Sequence, residues 1–208
     1  MVDKNIVRII GGKYKNRKIN ILPNSDIRPT ADRIRETVFN WLMFDIVNSR
    51  ILDLFAGSGA MTLEALSRQA KFVYCNDSNP AVISHIDNNI KNIDHSLSSD
   101  SKKLQLANYN ALELLQKKPQ DLNLEPFDII ILDPPFNKNY LQSCLELIVK
   151  NNWLAKKYSD SSSTLPAIYI ESEQQLNINN ILLSPSLKKL TLVKLKTTGN
   201  VCYGLLSL

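Results

Sequence analysis

Three short groups of residues carry functional groups at spacings that suit chemistry. The first is Asp53-Leu54-Phe55-Ala56-Gly57-Ser58-Gly59. Glycines between a strand and a helix let a ligand approach the backbone closely. Thr62 stands where the dinucleotide fingerprint requires a third glycine, so this segment is not that fingerprint. The second is Asp77, 24 positions after Asp53. An acid about 20 residues beyond a glycine turn can accept hydrogen bonds from both ribose hydroxyls of a nucleoside. Taken alone, Asp77-Ser78-Asn79-Pro80 is equally well read as a surface turn. The third is Asp133-Pro134-Pro135-Phe136. A double proline cannot extend a sheet and fixes the local backbone, which holds a carboxylate, a carbonyl and an aromatic ring together. Such a group can grip a flat amine: the oxygens accept its two N–H bonds while the ring stacks on the base. A rigid turn that merely ends a strand is the plainer alternative.

The flanking pattern supplies elements to position these groups. Residues 51–55 read as a first strand running into the glycine turn, with a helix over 61–66. Residues 72–75 form a second strand. Pro80 suits a first helical position, and it opens a helix with Ile83, Ile86, Ile90 and Ile93 on one face. Residues 104–108 are a weaker third strand. Residues 127–132 have the unbroken apolar run of a buried central strand, a helix follows over 140–149, and 167–170 are a fifth strand. Strands alternating with helices predict a mainly parallel sheet, at whose carboxyl edge ligands sit in such folds. The chain end differs: residues 190–196 and 201–206 flank Thr197-Thr198-Gly199-Asn200 and predict an antiparallel hairpin. Residues 96–101 and 156–164 read as Ser- and Lys-rich surface loops.

Upstream, Arg8-Ile9-Ile10-Gly11-Gly12 through Ile19 predicts short β structure broken by glycines. Arg28-Pro29-Thr30 is extended, because a residue before proline avoids the helical region. Thr30 is then placed to cap a helix with an apolar stripe of Ile34, Val38, Trp41 and Leu42. Asp32 falls in its first turn, where the helix dipole favours an acid.

The 208 residues suit one domain, or a domain with a small appendage. Hydrophobic residues at 44% and charged residues at 22% exclude a disordered, collagen-like or coiled-coil chain. No stretch approaches the roughly 20 apolar residues that span a bilayer, and the first residues lack the apolar core of a signal peptide. Cys75, Cys144 and Cys202 are scattered without a CxxC pair and read as reduced packing thiols, which points to a cytosolic protein. His85 and His95 fit no ligand spacing. The net charge is +5. Residues 1–18 concentrate it, with Lys4, Arg8, Lys13, Lys15, Arg17 and Lys18 against the single acid Asp3, and Arg28, Arg33 and Arg35 follow. A basic segment suits a polyanionic partner, though for a charge run taken alone a solvated charged face is the readier explanation.

Asp53–Gly59, Asp77 and Asp133–Phe136, in that order, resemble the class I S-adenosylmethionine-dependent methyltransferases that act on exocyclic amines. The N-terminal Arg8–Gly12, Arg28-Pro29-Thr30 with Asp32, Arg33 and Arg35-Glu36-Thr37, and Phe39-Asn40-Trp41-Leu42 narrow this. They resemble the RsmD family, bacterial enzymes that methylate N2 of one guanine in 16S ribosomal RNA. Asn110-Ala111, Trp153-Leu154, Tyr169-Ile170-Glu171-Ser172-Glu173 and the final hairpin extend the similarity to nearly the whole chain. Family members often have Glu where Asp77 stands.

The resemblance implies a Rossmann-like α/β fold, with a basic N-terminal β/helix extension over residues 1–48 and a methyltransferase domain over 49–208. It implies S-adenosylmethionine held by Asp53, Phe55, Gly57, Gly59, Asp77, Asn110 and Ala111. Asp77 would hold the ribose and Asn110 the adenine edge. Asp133 and the Pro134 carbonyl would take the target amine, and Phe136 would stack on the guanine. Arg8, Lys13, Lys15, Arg17, Lys18, Arg28 and Arg33 would grip RNA phosphates. The implied partner is 16S ribosomal RNA, in the small subunit or its assembly intermediate, met by a monomer without metal or membrane. Three rivals stand beside this reading. A DNA amine methyltransferase would use the same chemistry but has little chain left for a sequence-reading domain. A nicotinamide oxidoreductase leaves Asp133–Phe136 unemployed. A non-catalytic ribosome-assembly RNA binder would explain the basic arm while retaining the fold as a relic.

Overall fold

Strand and helix alternate along two units, Met1–Tyr109 and Asn110–Leu208, in a computed structural model that describes residues 6–23, 30–97, 102–136, 140–156, 165–173 and 178–208. The first unit opens with β1 (Ile6–Arg8) and β2 (Lys18–Asn20), an antiparallel ribbon with Val7 opposite Ile19. Helix α1 (Asp32–Trp41) follows. Then come β3 (Arg50–Asp53), α2 (Ala60–Ser67), β4 (Phe72–Asn76), α3 (Pro80–Ile93) and β5 (Leu104–Ala107). β4 lies between β3 and β5 and is parallel to both, with Ile51 opposite Val73 and Tyr74 opposite Gln105.

The second unit runs α4 (Ala111–Gln116), β6 (Ile129–Leu132), α5 (Tyr140–Lys150), β7 (Ala167–Glu173), α6 (Ile178–Leu182), β8 (Thr191–Thr198) and β9 (Val201–Ser207). β6 and β7 are parallel, whereas β7 with β9 and β9 with β8 are antiparallel. The expected α/β pattern with a terminal hairpin is therefore present. All four residues of β6 are buried, as a strand covered on both faces requires. β7 is longer than its apolar run suggests. Its pairing with β9 continues through Glu173 opposite Val201, and this carries the polar Glu171 and Ser172 into the buried part of the strand. The hairpin turn is only Gly199-Asn200, because Thr197 and Thr198 are already paired with Cys202 and Val201.

Local signals explain most helix ends. Asn79 accepts a hydrogen bond from Ala81 N–H at 2.9 Å and caps α3, with Pro80 in its first turn. Helix α1 corrects two expectations. Ala31, not Thr30, occupies the cap position, and no side chain caps it. Asp32 instead forms an ion pair with Arg35 at 2.7 Å. The buried stripe is Ile34, Val38 and Leu42 with Arg35 and Phe39, while Trp41 is only half-buried. Arg28 lies outside the described residues, as do 98–101 and 157–164 of the two serine-rich loops; His95–Leu97 forms a single 3-10 turn.

Trp153 is fully buried, stacks on Phe127 at 6.1 Å and donates its indole N–H to the Lys117 carbonyl at 2.9 Å. All three cysteines are buried and unbridged, and burial pushes the Cys144 thiol up to about 12. They are packing groups. Among the described residues no helix is long and apolar enough to cross a membrane.

Candidate active site

In the first unit the glycine turn and Asp77 form one hydrogen-bonded structure. Gly57 and Gly59 have φ of 51° and 74°, a left-handed region that costs a side chain energy. At Gly59 a Cβ would also lie 2.9 Å from Ile86 Cγ1 on α3. The turn therefore needs glycine for its path and for its packing. Asp77, just beyond β4, accepts the Gly57 N–H on Oδ2 at 3.0 Å and the Asn79 N–H on Oδ1 at 2.9 Å. Its carboxylate is half-buried, with lone pairs left on both oxygens. Phe55 is half-buried beside the turn.

Asp53 sits deeper. It is fully buried and accepts the Thr62 hydroxyl on Oδ2 at 2.6 Å. Burial pushes its carboxyl up to about 7; the Thr62 hydrogen bond pulls it down, and the Asp77 charge pushes it up further. Asn76, also fully buried, completes the unit's framework. Its amide donates to the Leu54 and Tyr109 carbonyls, both at 3.1 Å, and its oxygen accepts the Tyr109 N–H at 3.0 Å. The ends of β3, β4 and the segment after β5 are thereby tied to one side chain.

The second unit presents the other groups. Asn110 caps α4: its side-chain oxygen accepts the Leu112 N–H at 2.9 Å and the Glu113 N–H at 3.4 Å. That use leaves its amide N–H2 as the group to meet a ligand. Ala111 is buried as the first residue of α4. Asp133 and Phe136 are half-buried, Pro134 is buried and Pro135 is exposed, all directly beyond the carboxyl end of β6. On β7 the fully buried Tyr169 donates its hydroxyl to Glu171 Oε2 at 2.7 Å.

The basic arm is bound to the first unit by backbone groups. The buried Glu64 of α2 accepts the Ile10 and Gly11 N–H groups at 2.7 and 2.8 Å and the Arg68 Nε–H at 2.7 Å. Ser67 adds contacts to Gly11, Lys13 and Tyr14. Two of the expected phosphate ligands are engaged within the protein. Lys13 pairs with Asp94 at 3.0 Å, and Arg17 donates to the Ile93 carbonyl at 3.0 Å. Both remain exposed, as are Arg8, Lys15, Lys18 and Arg33. Arg35 is fully buried and donates to the Arg8 carbonyl at 2.9 Å.

The family described as conserved hypothetical protein 95 matches residues 7–207. The ribosomal RNA small subunit methyltransferase D of Haemophilus influenzae is 39% identical over 202 residues, covering 97% of this chain and 94% of that one. Its Escherichia coli K12 namesake is 35% identical over 199 residues, covering 96% and 88%. The chain belongs to the RsmD family. Among solved structures, the Escherichia coli "Putative methyltransferase yhhF" superposes with a TM-score of 0.77 at 34% identity, covering 97% of both chains. HI0767 from Haemophilus influenzae gives 0.76 at 35% identity, covering 97% and 98%. The fold is that of the class I methyltransferases. SMU.776, described as complexed with SAH, shares that fold at 13% identity and a TM-score of 0.66, covering 92% of this chain and 53% of that one.

Membership of the RsmD family leaves several supporting residues to be found in the structure itself. Sequence reasoning missed Asn76, Glu64 and Ser67. Asn76 gave one usable signal, an amide closing the apolar strand 72–75 immediately before Asp77. Glu64 gave none, because a lone acid inside a helix reads as an exposed face. Among the described residues, no group of His, Cys, Asp and Glu side chains could hold a metal ion.

Proposed function

We propose that this RsmD-family protein, an rRNA methyltransferase by its kinship, transfers a methyl group from S-adenosylmethionine to the exocyclic N2 amine of a guanine in the 16S ribosomal RNA of the small subunit. The observation that carries the amine reading is the turn Asp133-Pro134-Pro135-Phe136 directly after β6, with its carboxylate and ring both half-buried rather than fully covered. The cofactor fits the groups present. Gly57 and Gly59 leave the backbone bare for its methionine end, Asp77 keeps lone pairs for two ribose hydroxyls, and the Asn110 amide offers a donor to an adenine acceptor. When bound, its sulfonium supplies a methyl group already activated for transfer. The protein then has to align and stabilise. Asp133 and the Pro134 carbonyl accept the amine N–H bonds, which favours a pyramidal nitrogen and stabilises the charge that grows on it. Phe136 holds the base plane. Arg8, Lys15, Lys18, Arg28 and Arg33 grip phosphates, with Lys13 and Arg17 fixing the arm of residues 1–48 beside the domain of residues 49–208. The working form is a monomer.

Labelled methyl transfer tests the proposal with naked 16S RNA, small subunits, subunit assembly intermediates and duplex DNA as acceptors. Label on guanine N2 of the RNA or subunit is the expected outcome. Transfer to DNA alone, or to no acceptor, overturns it. Asp133→Ala should lower turnover by roughly 100- to 1000-fold, the loss typical of one preorganised stabilising group, and cofactor affinity should stay within about 1 kcal/mol.

A further inference from the structure

The register of β6 and β7 pairs Ile129 with Ala167 through Leu132 with Ile170. Continued one residue past the carboxyl end of β6, this register would set Asp133 opposite Glu171, and partners on neighbouring strands share a face about 5 Å apart. The row continues, for Glu171 pairs with Tyr203 and Tyr203 with Lys196. Glu171 is buried although it carries an ionisable group, a placement that costs free energy unless the acid has partners. One of these is Tyr169, whose hydroxyl lies 2.7 Å from Glu171 Oε2. The Tyr169 phenol is pushed well above its ordinary value, first by burial and then by Glu171 and Asp133, so the three groups share one electrostatic neighbourhood. Such a phenol stays a donor throughout the neutral range and favours the ionised form of Glu171.

We propose that Glu171 is a positioning residue for Asp133. Its negative charge raises the proton affinity of the neighbouring carboxylate, so that Asp133 becomes the stronger acceptor for the target amine and first holder of the proton the amine releases. This rests on the amine-transfer reading given above. When the amine nitrogen bonds to the methyl carbon, the carbon–sulfur electron pair leaves with sulfur, and the nitrogen is left positively charged with one proton in excess. That proton passes along the N–H···O bond to Asp133 and then to water, which restores the carboxylate. Two like charges side by side bind a first proton more tightly than either would alone. Among the described residues, the register sets Tyr169 and Glu173 of β7, Tyr203 of β9, and Lys194 and Lys196 of β8 on the same face. The lysines are exposed, so solvent screens them.

Glu171→Gln in the full chain keeps the shape and an acceptor for Tyr169 but removes the charge. Without added cofactor, the Asp133 side-chain carboxyl carbon, followed by NMR, should titrate about 1 pH unit lower than in the wild type. The acidic limb of single-turnover methyl transfer should move down equally, with its plateau reduced roughly 10-fold. Glu171→Asp, which keeps the charge, should restore most of the Asp133 titration. Tyr169→Phe should move it part of the way, and it carries the test if Glu171→Gln does not fold. An Asp133 titration that moves in neither variant overturns the inference even if both lose activity. Absence of methyl transfer from the wild type overturns the amine reading instead, and with it the proton transfer, whatever the titration shows.

Discussion

Asp77 does two jobs with one carboxylate, holding the glycine turn through Gly57 N–H and the start of α3 through Asn79 N–H. Its position after the second strand was legible in the sequence, because it follows the apolar run 72–75 and the amide of Asn76 that closes it. Its grip on the turn was not, since no spacing rule says which backbone N–H a carboxylate will take. Asp77→Ala should weaken cofactor binding by about 2–4 kcal/mol, as a charged acceptor disappears and the turn loses a support. Asp77→Asn keeps one acceptor and should lose less. Calorimetry with S-adenosylhomocysteine would check the order, and equal affinities in wild type and alanine variant would remove Asp77 from the ribose role. Lys13 and Arg17 show the converse limit of residue reading. Both count as cations in the arm, but Asp94 and the Ile93 carbonyl already hold them, and only the fold reveals such partners.

Elements with strong periodicity were legible nearly to their ends; elements ruled by burial were not. Of the expected α3 stripe, Ile86, Ile90 and Ile93 are buried and Ile83 only half-buried, while Val82 and Asn89 take buried places that the pattern did not name. In α1 the stripe shifted from Trp41 toward Phe39, and a fully buried Arg35 took a place on it. The reason is that the Arg8 carbonyl and Asp32 satisfy part of its guanidinium, and a hydrophobicity pattern cannot register that. Helix α2 is buried on every side, and the fully buried Glu64 within it is the anchor of the whole arm. Three donors converge on that carboxylate. Glu64→Gln would turn an N–H2 group toward at least one of them. The loss should be about 3–5 kcal/mol of stability, the usual cost of breaking a buried charged pair. Hydrogen exchange at the Ile10 and Gly11 amides should accelerate before that of β3 and β4, because the arm releases first. Unchanged protection at those two amides would mean that Ser67 alone retains the arm.

For the whole molecule, two charge effects act against each other. Asp53 titrates at about 7 when folded, against 3.8 as its ordinary value, so between these the folded chain keeps a proton that the unfolded chain has released. Stability from this group therefore falls as pH rises from about 4 to about 7, by up to roughly 4 kcal/mol. Asp94 works in the opposite direction. Its carboxyl is held low, first by the Ser96 side chain and then by Tyr14 and Lys13, so its stabilising effect is lost as pH falls. Asp53→Asn keeps an acceptor for Thr62 and isolates the first effect: its melting temperature should gain on the wild type steadily across that interval. A constant difference would place the Asp53 proton elsewhere. The net charge of +5 acts on a partner rather than on the fold. All four arm cations Lys13, Lys15, Arg17 and Lys18 are exposed, but Lys13 already pairs with Asp94 and Arg17 with the Ile93 carbonyl. Replacing Lys15 and Lys18 with alanine should therefore flatten the salt dependence of RNA binding, the log–log slope dropping by about 0.7 for each single-strand phosphate no longer neutralised. The corresponding change at Lys13 should move the slope less, since its charge is already partnered by Asp94. Cofactor affinity should stay constant in all of these variants. If the slope is the same in the Lys15 and Lys18 double variant as in the wild type, the arm is a solvated face and the phosphates are held by other residues.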